Sequence, residues 1–315
     1  MPSRSVPNSL AVSQFRWRGI LLLAFIIVGL WAVAPAPSTA SQAVTSQPIV
    51  GGADADPGEW PWQVALVYTD GGSDWDNHFC GGSLIDPQWV VTAAHCLIEE
   101  NGDPSTLASF KIIIGRTSLT SDNGETISPM EIFIHPDYAL NEDPDVALIK
   151  LATPSSGTPI SLARDPSAPY LAAGQVAIAT GWGSTVGYEP GNEEPDIGYL
   201  PTLQEVSEIL RTDADCAAWY NPGYVNSTML CAGGDPEGGT GTCQGDSGGP
   251  LVVFDEAGQS WMLAGITSFG DGCAAANVPN VYTEVAGVLA FIEGHTGPLH
   301  PDTSPRAFFP LLTRD

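Results

Sequence analysis

From Gln63 onward, apolar residues come in short bursts, and glycine, proline, aspartate or asparagine closes each burst. β-Branched and aromatic runs of this kind suit a pleated surface with a buried face. The pattern predicts a first set of six strands at Gln63–Tyr68, Gly82–Ile85, Trp89–Ala93, Lys111–Gly115, Met130–His135 and Ala147–Leu151. A second set follows at Gln175–Thr180, Gln204–Leu210, Met229–Ala232, Pro250–Phe254, Trp261–Phe269 and Asn280–Glu284. Between them, Ala152–Ala173 is rich in Pro, Ser and Ala and has little periodicity. It reads as a crossing between two β units, with the boundary near residue 165. A helical period shows near the end, where Val285, Val288, Leu289 and Ile292 repeat at three and four and predict a helix over about Val285–Glu293.

The first 48 residues follow another rule. Gly19–Ala34 is uncharged and strongly apolar, Arg16 and Arg18 precede it, and Ser38-Thr39-Ala40 follows as a small-x-small site. This is the pattern of a secretory signal peptide cut near Ala40. The rival reading is an uncleaved anchor, but the apolar run falls short of the roughly 20 residues a spanning helix needs. The expectation is a signal peptide at 1–40, a propeptide at 41–48, and a secreted protein with no membrane span after signal removal.

Composition narrows the class. Of 315 residues, 35 are Gly and 27 Pro, while charged residues make up 15%. That mix suits turn-rich β structure more than helical bundles. Residues 1–48 hold three of the ten basic residues and none of the 36 acidic ones, so the remainder is strongly anionic. Such a charge argues against nucleic acid and anionic membranes as partners and favours solubility. Export implies an oxidising compartment, in which the six cysteines read as three disulfides rather than metal ligands. Six cysteines allow 15 pairings, and composition does not choose among them.

The chemistry concentrates in Cys243-Gln244-Gly245-Asp246-Ser247-Gly248-Gly249-Pro250-Leu251. A serine hydroxyl is a weak nucleophile until a base takes its proton and backbone N–H groups await the oxyanion. Three more motifs precede it in order: Ile49-Val50-Gly51-Gly52, Thr92-Ala93-Ala94-His95-Cys96 and Asp145-Val146-Ala147-Leu148. On these four motifs, which agree in type, order and spacing between about Ile49 and His295, the chain resembles the chymotrypsin/trypsin family of serine endopeptidases, in a secreted member of bacterial type.

The resemblance implies an all-β fold of two packed six-stranded antiparallel β-barrels with a C-terminal helix on the second. The peptidase domain would run over 49–296, with its N-terminal barrel to about 165, its C-terminal barrel from about 166, and a tail at 297–315. The implied disulfides are Cys80–Cys96, Cys216–Cys231 and Cys243–Cys273, each worth about 3 kcal/mol in the chain-entropy account. His95 would be general base and then general acid, Asp145 would fix its tautomer, and Ser247 would attack the peptide carbonyl. The N–H groups of Gly245 and Ser247 would form the oxyanion hole. Ile49, freed as a new N-terminus, would pair with Asp246, which makes the protein a zymogen. Pro48 stands where many relatives carry Arg or Lys, so a trypsin-like activator should not cut there.

The same resemblance locates the specificity pocket. Gly241 stands where a trypsin-like enzyme would put an acid, with Thr242 next to it. Gly270 leaves the entrance open, and the backbones of Ser268 and Gly270 would hold substrate as an added strand. Asn280 occupies a back-wall position that is usually glycine. The expected preference is for an uncharged apolar or aromatic residue before the cut bond, with a small aliphatic residue as runner-up. Arg116 stands near an expected acidic calcium ligand, so neither metal nor cofactor is expected. The expected partners are protein or peptide substrates and protein inhibitors, for a monomer. Two other readings compete: a protease-like fold used only for binding, and an esterase of another fold. The intact set of catalytic residues argues against the first, and the order His, Asp, Ser against the second.

Overall fold

The computed structural model describes residues 49–99, 102–192, 195 and 198–299. The expected signal peptide, the propeptide with Pro48, His300 and the tail beyond Leu299 lie outside them. The first half contains β1 (Ala53–Asp54), β2 (Gln63–Tyr68), β3 (His78–Asp86), β4 (Trp89–Thr92), β5 (Phe110–Ile114), β6 (Glu125–Ile127), β7 (Pro129–Ile134), a short α1 (Tyr138–Asn141) and β8 (Ala147–Leu151). The second contains β9 (Ser161–Leu162), β10 (Val176–Gly181), β11 (Gln204–Ile209), α2 (Asp213–Tyr220), β12 (Met229–Gly233), β13 (Pro250–Asp255), β14 (Ser260–Phe269), β15 (Pro279–Glu284) and α3 (Val285–Thr296).

Two curled sheets result. In the first, the strand order β6-β5-β2-β3-β4-β8-β7 is antiparallel throughout. In the second, β1-β11-β10-β13-β14-β15-β12 is antiparallel, and β9 adds a parallel pairing on β14. All twelve expected strands are present, and the arrangement is the expected two-barrel β fold. The sheets hold seven and eight strands rather than six because β1, β6 and β9 join them. Two of these additions are two residues long, too short to leave a period in the sequence. Ala152–Ala173 is accordingly not a bare crossing, since it carries β9. The helix α2 begins at a capping box in which Thr212 and Asp215 satisfy each other's backbone N–H.

Leu66, Ile112, Ile113, Ile114, Leu148 and Ile149 are fully buried in the first barrel, and each such side chain contributes about 1.5–3 kcal/mol by leaving water. An aromatic group spans the seam: Trp60 meets Trp62 at 5.9 Å and Trp261 of β14 at 5.2 Å, and its Nε1 donates to Glu205 of β11 at 2.8 Å. Thr180 of β10 donates to Gln63 of β2 at 2.6 Å across the same seam. The backbones also come close at Gly81, where an added Cβ would lie 2.8 Å from Gly249 Cα. There the Gly81 N–H donates to the Ser247 carbonyl at 2.7 Å. The helix α3 also reaches the first barrel, with the Phe291 and His295 rings packed on His135 and Phe133 at 4.9 and 4.6 Å.

Candidate active site

His95 opens a short 3-10 turn, His95–Leu97, after Ala93 and Ala94 at the end of β4, and its neighbour Cys96 is bonded to Cys80 of β3. The disulfide ties the turn that carries the imidazole to the sheet. Asp145 sits just before β8, which pairs with β4, so the two side chains are brought together by strand register. His95 Nδ1 donates to Asp145 Oδ2 at 2.7 Å, and the His95 backbone N–H donates to Oδ1 at 3.0 Å. The second barrel completes the cradle. Ser268 Oγ donates to Asp145 Oδ2 at 2.5 Å, and Thr283 Oγ1 donates to the Asp145 carbonyl at 2.8 Å. Sequence reasoning gave Ser268 a backbone role and did not anticipate that its hydroxyl holds this carboxylate.

The electrostatics follow from burial and pairing. Asp145 is 5% exposed, and burial alone would raise its pKa. The hydrogen bonds and charge of His95, aided by Ser268, outweigh that and hold it below the usual carboxylate value. For His95, burial pulls the pKa down, while the Asp145 bond and charge pull harder, and the net shift is upward. With the proton on Nδ1, the Nε2 lone pair is left to act as a base.

Ser247 enters from the second barrel, in the loop before β13, held by the Gly81 bond across the seam. The link from Ser247 Oγ to His95 Nε2 is not closed among the described residues, and Nε2 lies 3.7 Å from Cys96 Sγ. Such bonds tighten when substrate arrives. The N–H groups of Gly245 and Ser247 donate to nothing among the described residues, so both are free to meet an oxyanion. Gly245 has φ +93°, and a Cβ there would lie 2.9 Å from Gly183 Cα, so only glycine fits. A cleft of about 700 Å³ extends from His95 past Tyr138, Asp143, Pro222 and Phe269.

Asp246 points the other way, into the interior. Its carboxylate is fully buried and accepts the N–H groups of Gly183 at 2.8 Å and Cys243 at 2.9 Å. No cationic side chain among the described residues reaches it. Burial pushes its pKa up to about 7, and the charge of Glu208 adds to the rise. Ile49 is fully buried among Ala163, Ala177, Val206 and Leu251 of the second barrel. Val50 packs on the Cys243–Cys273 disulfide, and its carbonyl accepts the Gly241 N–H at 3.1 Å. The segment that opens the Ile-Val-Gly-Gly motif therefore lies folded against the pocket loop. The Cys216–Cys231 bond completes the three expected pairings.

Cys80, His95 and Cys96 cluster, but both sulfurs are spent in the disulfide. The loop at Arg116, where no calcium site is expected, is centred on a buried cation: Arg116, 5% exposed, donates to Asp74 at 2.6 Å and to the Asn123 carbonyl at 2.7 Å. Replacing Arg116 with alanine leaves those acceptors unmatched, although Lys111 still pairs with the partly exposed Asp74 at 2.6 Å. The expected loss is about 2–3 kcal/mol, read as a drop in Tm of about 5–10 °C in thermal unfolding. A chelator should leave the Tm of the unaltered protein in place.

At the expected specificity pocket, Asn280 lies between Gly241 and Gly270. A Cβ on Gly241 would fall 2.7 Å from its Nδ2, and one on Gly270 would fall 3.2 Å from its Oδ1. Behind it stands Glu208, which sequence reasoning missed. It is 1% exposed and accepts bonds from Asn280, Tyr282 and Thr242.

A family model described as Trypsin matches residues 49–292. A tryptase from Mus musculus is 36% identical over 289 residues, covering 87% of this chain and 96% of its own. A trypsin from Saccharopolyspora erythraea is 38% identical over 238 residues, covering 75% of this chain and 93% of its own.

Proposed function

The chain belongs to the trypsin family of serine endopeptidases, and from that premise we propose that it is a secreted monomeric zymogen that cuts proteins through an acyl-enzyme on Ser247. His95 takes the Ser247 proton as Oγ attacks the scissile carbonyl. The N–H groups of Gly245 and Ser247 receive the oxyanion, and His95 hands its proton to the departing amine. Water then enters, deprotonated by the same imidazole, and releases the acyl group. Asp145 keeps Nδ1 protonated throughout and stabilises the imidazolium. The observation that carries this reading is the 2.7 Å His95–Asp145 bond beside a serine loop with two uncommitted N–H groups.

Activation is read from the interior. A buried carboxylate without a counter-charge is costly, and Asp246 is one in the unprocessed chain. Cleavage before Ile49 supplies an ammonium group on a residue already packed in that barrel. Pro48 implies an activator that tolerates proline. Three disulfides support an oxidising, extracellular setting. No helix among the described residues is long and apolar enough to cross a membrane. The uncharged preference expected from Gly241, Gly270 and Asn280 took no account of Glu208, whose carboxylate stands behind Asn280.

The test is labelling of processed protein with a fluorophosphonate, followed by peptide mapping and N-terminal sequencing. The label is expected on Ser247 of a chain that starts at Ile49. An unlabelled Ser247 in protein of that length refutes the chemistry, and active protein with any other N-terminus refutes the activation step.

A further inference from the structure

The strand β11 turns Gln204, Val206 and Glu208 inward and Ser207 outward. A glutamate on the buried face of a strand needs a reason. The Glu208 carboxylate accepts from Tyr282 OH at 2.7 Å, Asn280 Nδ2 at 2.8 Å and the Thr242 N–H at 3.2 Å. The Asn280 amide and the Thr242 N–H are fixed donors, and with the Tyr282 hydroxyl donating as well the set fits an anion better than a neutral acid. No cation among the described residues answers it. Arg211, the nearest in sequence, is committed to Asp235 at 2.9 Å and to the Gly233 carbonyl. Burial pushes the Glu208 pKa up against the pull of these three bonds, the charge of Asp235 adds to the rise, and the buried Asp246 carboxylate is a second like charge nearby. What is missing is a positive charge.

All three donors belong to the wall of the specificity pocket. Thr242 adjoins Gly241, and Asn280 and Tyr282 lie on β15. Because Asn280 Nδ2 is fixed on Glu208, its Oδ1 is left on the side of Gly270, at the open wall. The amide thus presents to the pocket a carbonyl oxygen with an anion one hydrogen bond behind it. Gly241 contributes no group of its own.

We propose that Glu208, acting through Asn280, determines specificity and makes the enzyme select lysine before the cut bond. This rests on the endopeptidase reading and deepens it. An ammonium group is a compact point charge that a single amide oxygen can receive, while the charge of Glu208 stabilises it from behind. Arginine is the poorer fit. Its planar fork wants two parallel acceptors, and the carboxylate that would offer them is turned toward Tyr282 and Thr242. The Asn280 side chain also takes up depth that a guanidinium needs. A phenyl ring would bury the Asn280 oxygen without a donor, and sites built to bond a polar group reject the analogue that lacks it. Lysine binding in turn favours the ionised form of Glu208, so charge and ligand reinforce each other.

The experiment compares peptides differing only in Lys, Arg or Phe at that position, with processed wild-type enzyme and Glu208→Gln. In the wild type, kcat/KM for Lys is expected to exceed that for Phe by about 10²-fold or more and that for Arg by about 10-fold. Glu208→Gln keeps the shape and removes the charge. It should lower kcat/KM for Lys about 10²-fold and leave Phe within about 3-fold, a split that general damage to the fold does not produce. Competition supplies a measurement independent of the variant: n-butylammonium should inhibit the wild type and n-butanol should not. A Lys-to-Phe ratio unchanged in folded Glu208→Gln, or equal inhibition by amine and alcohol, overturns the inference while labelled Ser247 keeps the peptidase reading intact. A wild type that prefers Phe overturns it as well. If Ser247 takes no label and no peptide is cut, both readings fall together.

Discussion

Replacing Ser247 with alanine is expected to lower kcat for peptide hydrolysis about 10⁶-fold, with the fold unchanged. The size of the loss reflects how the groups act as a unit. Without Oγ there is no atom to carry the acyl group, and His95 has no proton to take. Asp145→Asn should cost about 10⁴-fold by a different route. The carboxamide can turn an N–H toward His95 Nδ1, which drives the ring proton to Nε2 and removes the base. The amide nitrogen would then stand where Ser268 Oγ now donates, and that hydroxyl can turn to accept from it, while the remaining oxygen keeps the His95 backbone N–H, so the cleft should keep its shape. Circular dichroism and thermal unfolding check that both variants fold, and single-turnover hydrolysis reads the chemistry. A Ser247→Ala protein that retains even a hundredth of the activity rules out the proposed nucleophile.

Asp246→Asn is expected to abolish activity in the processed enzyme with every triad residue in place. In the structure this carboxylate lies in a pocket closed by glycines: a Cβ on Gly181 would fall 2.1 Å from its Oδ1. Losing one partner of a buried pair costs about 3–5 kcal/mol, which lowers the population of the ordered oxyanion loop about 10²- to 10³-fold. The pH dependence separates two states. In the unprocessed chain, the Asp246 pKa is raised by burial to about 7. Its burial is therefore tolerated best below the ordinary carboxylate pKa, and stability falls as pH climbs toward 7. In the processed chain, pairing raises the amine above its free value of about 7.7–8.0. That contribution is whole below the free value and is lost as pH rises through the raised one. Activity should therefore fall reversibly at strongly alkaline pH while Ser247 still takes a fluorophosphonate once neutral pH is restored. An alkaline limb that persists unaltered in folded Asp246→Asn protein counts against the linkage.

The proposed catalytic residues are legible because each sits in a contiguous motif. The sequence around His95 and that around Ser247 each contain the cysteine that anchors the turn, so local order carried the information. Glu208 was not legible for the opposite reason. Along Gln204-Glu205-Val206-Ser207-Glu208-Ile209, both alternating sets contain polar residues, so the pattern does not say which face is inward. Only the pairing of β11 between β1 and β10 settles it. The helix α2 had a usable signal that went unread, Thr212 followed three residues later by Asp215. The role of Ser268 depends on a contact with Asp145, 123 residues away, which no local pattern encodes.

The contact of Gly81 with the Ser247 loop bears on how such a molecule can be recombined. Base and nucleophile sit on different halves, and the two halves meet there with no side chain between them. A hybrid joining one half of this chain to the complementary half of a relative would inherit a working centre only if both donors bring a bare backbone to that crossing. A methyl on Gly81 would fall 2.8 Å from Gly249 Cα, and one on Gly248 would fall 2.7 Å from the Gly81 carbonyl oxygen, so either would push the halves apart. Elsewhere on the outer surfaces, exchange between lineages is far less constrained, which leaves loops free to diversify around a fixed junction.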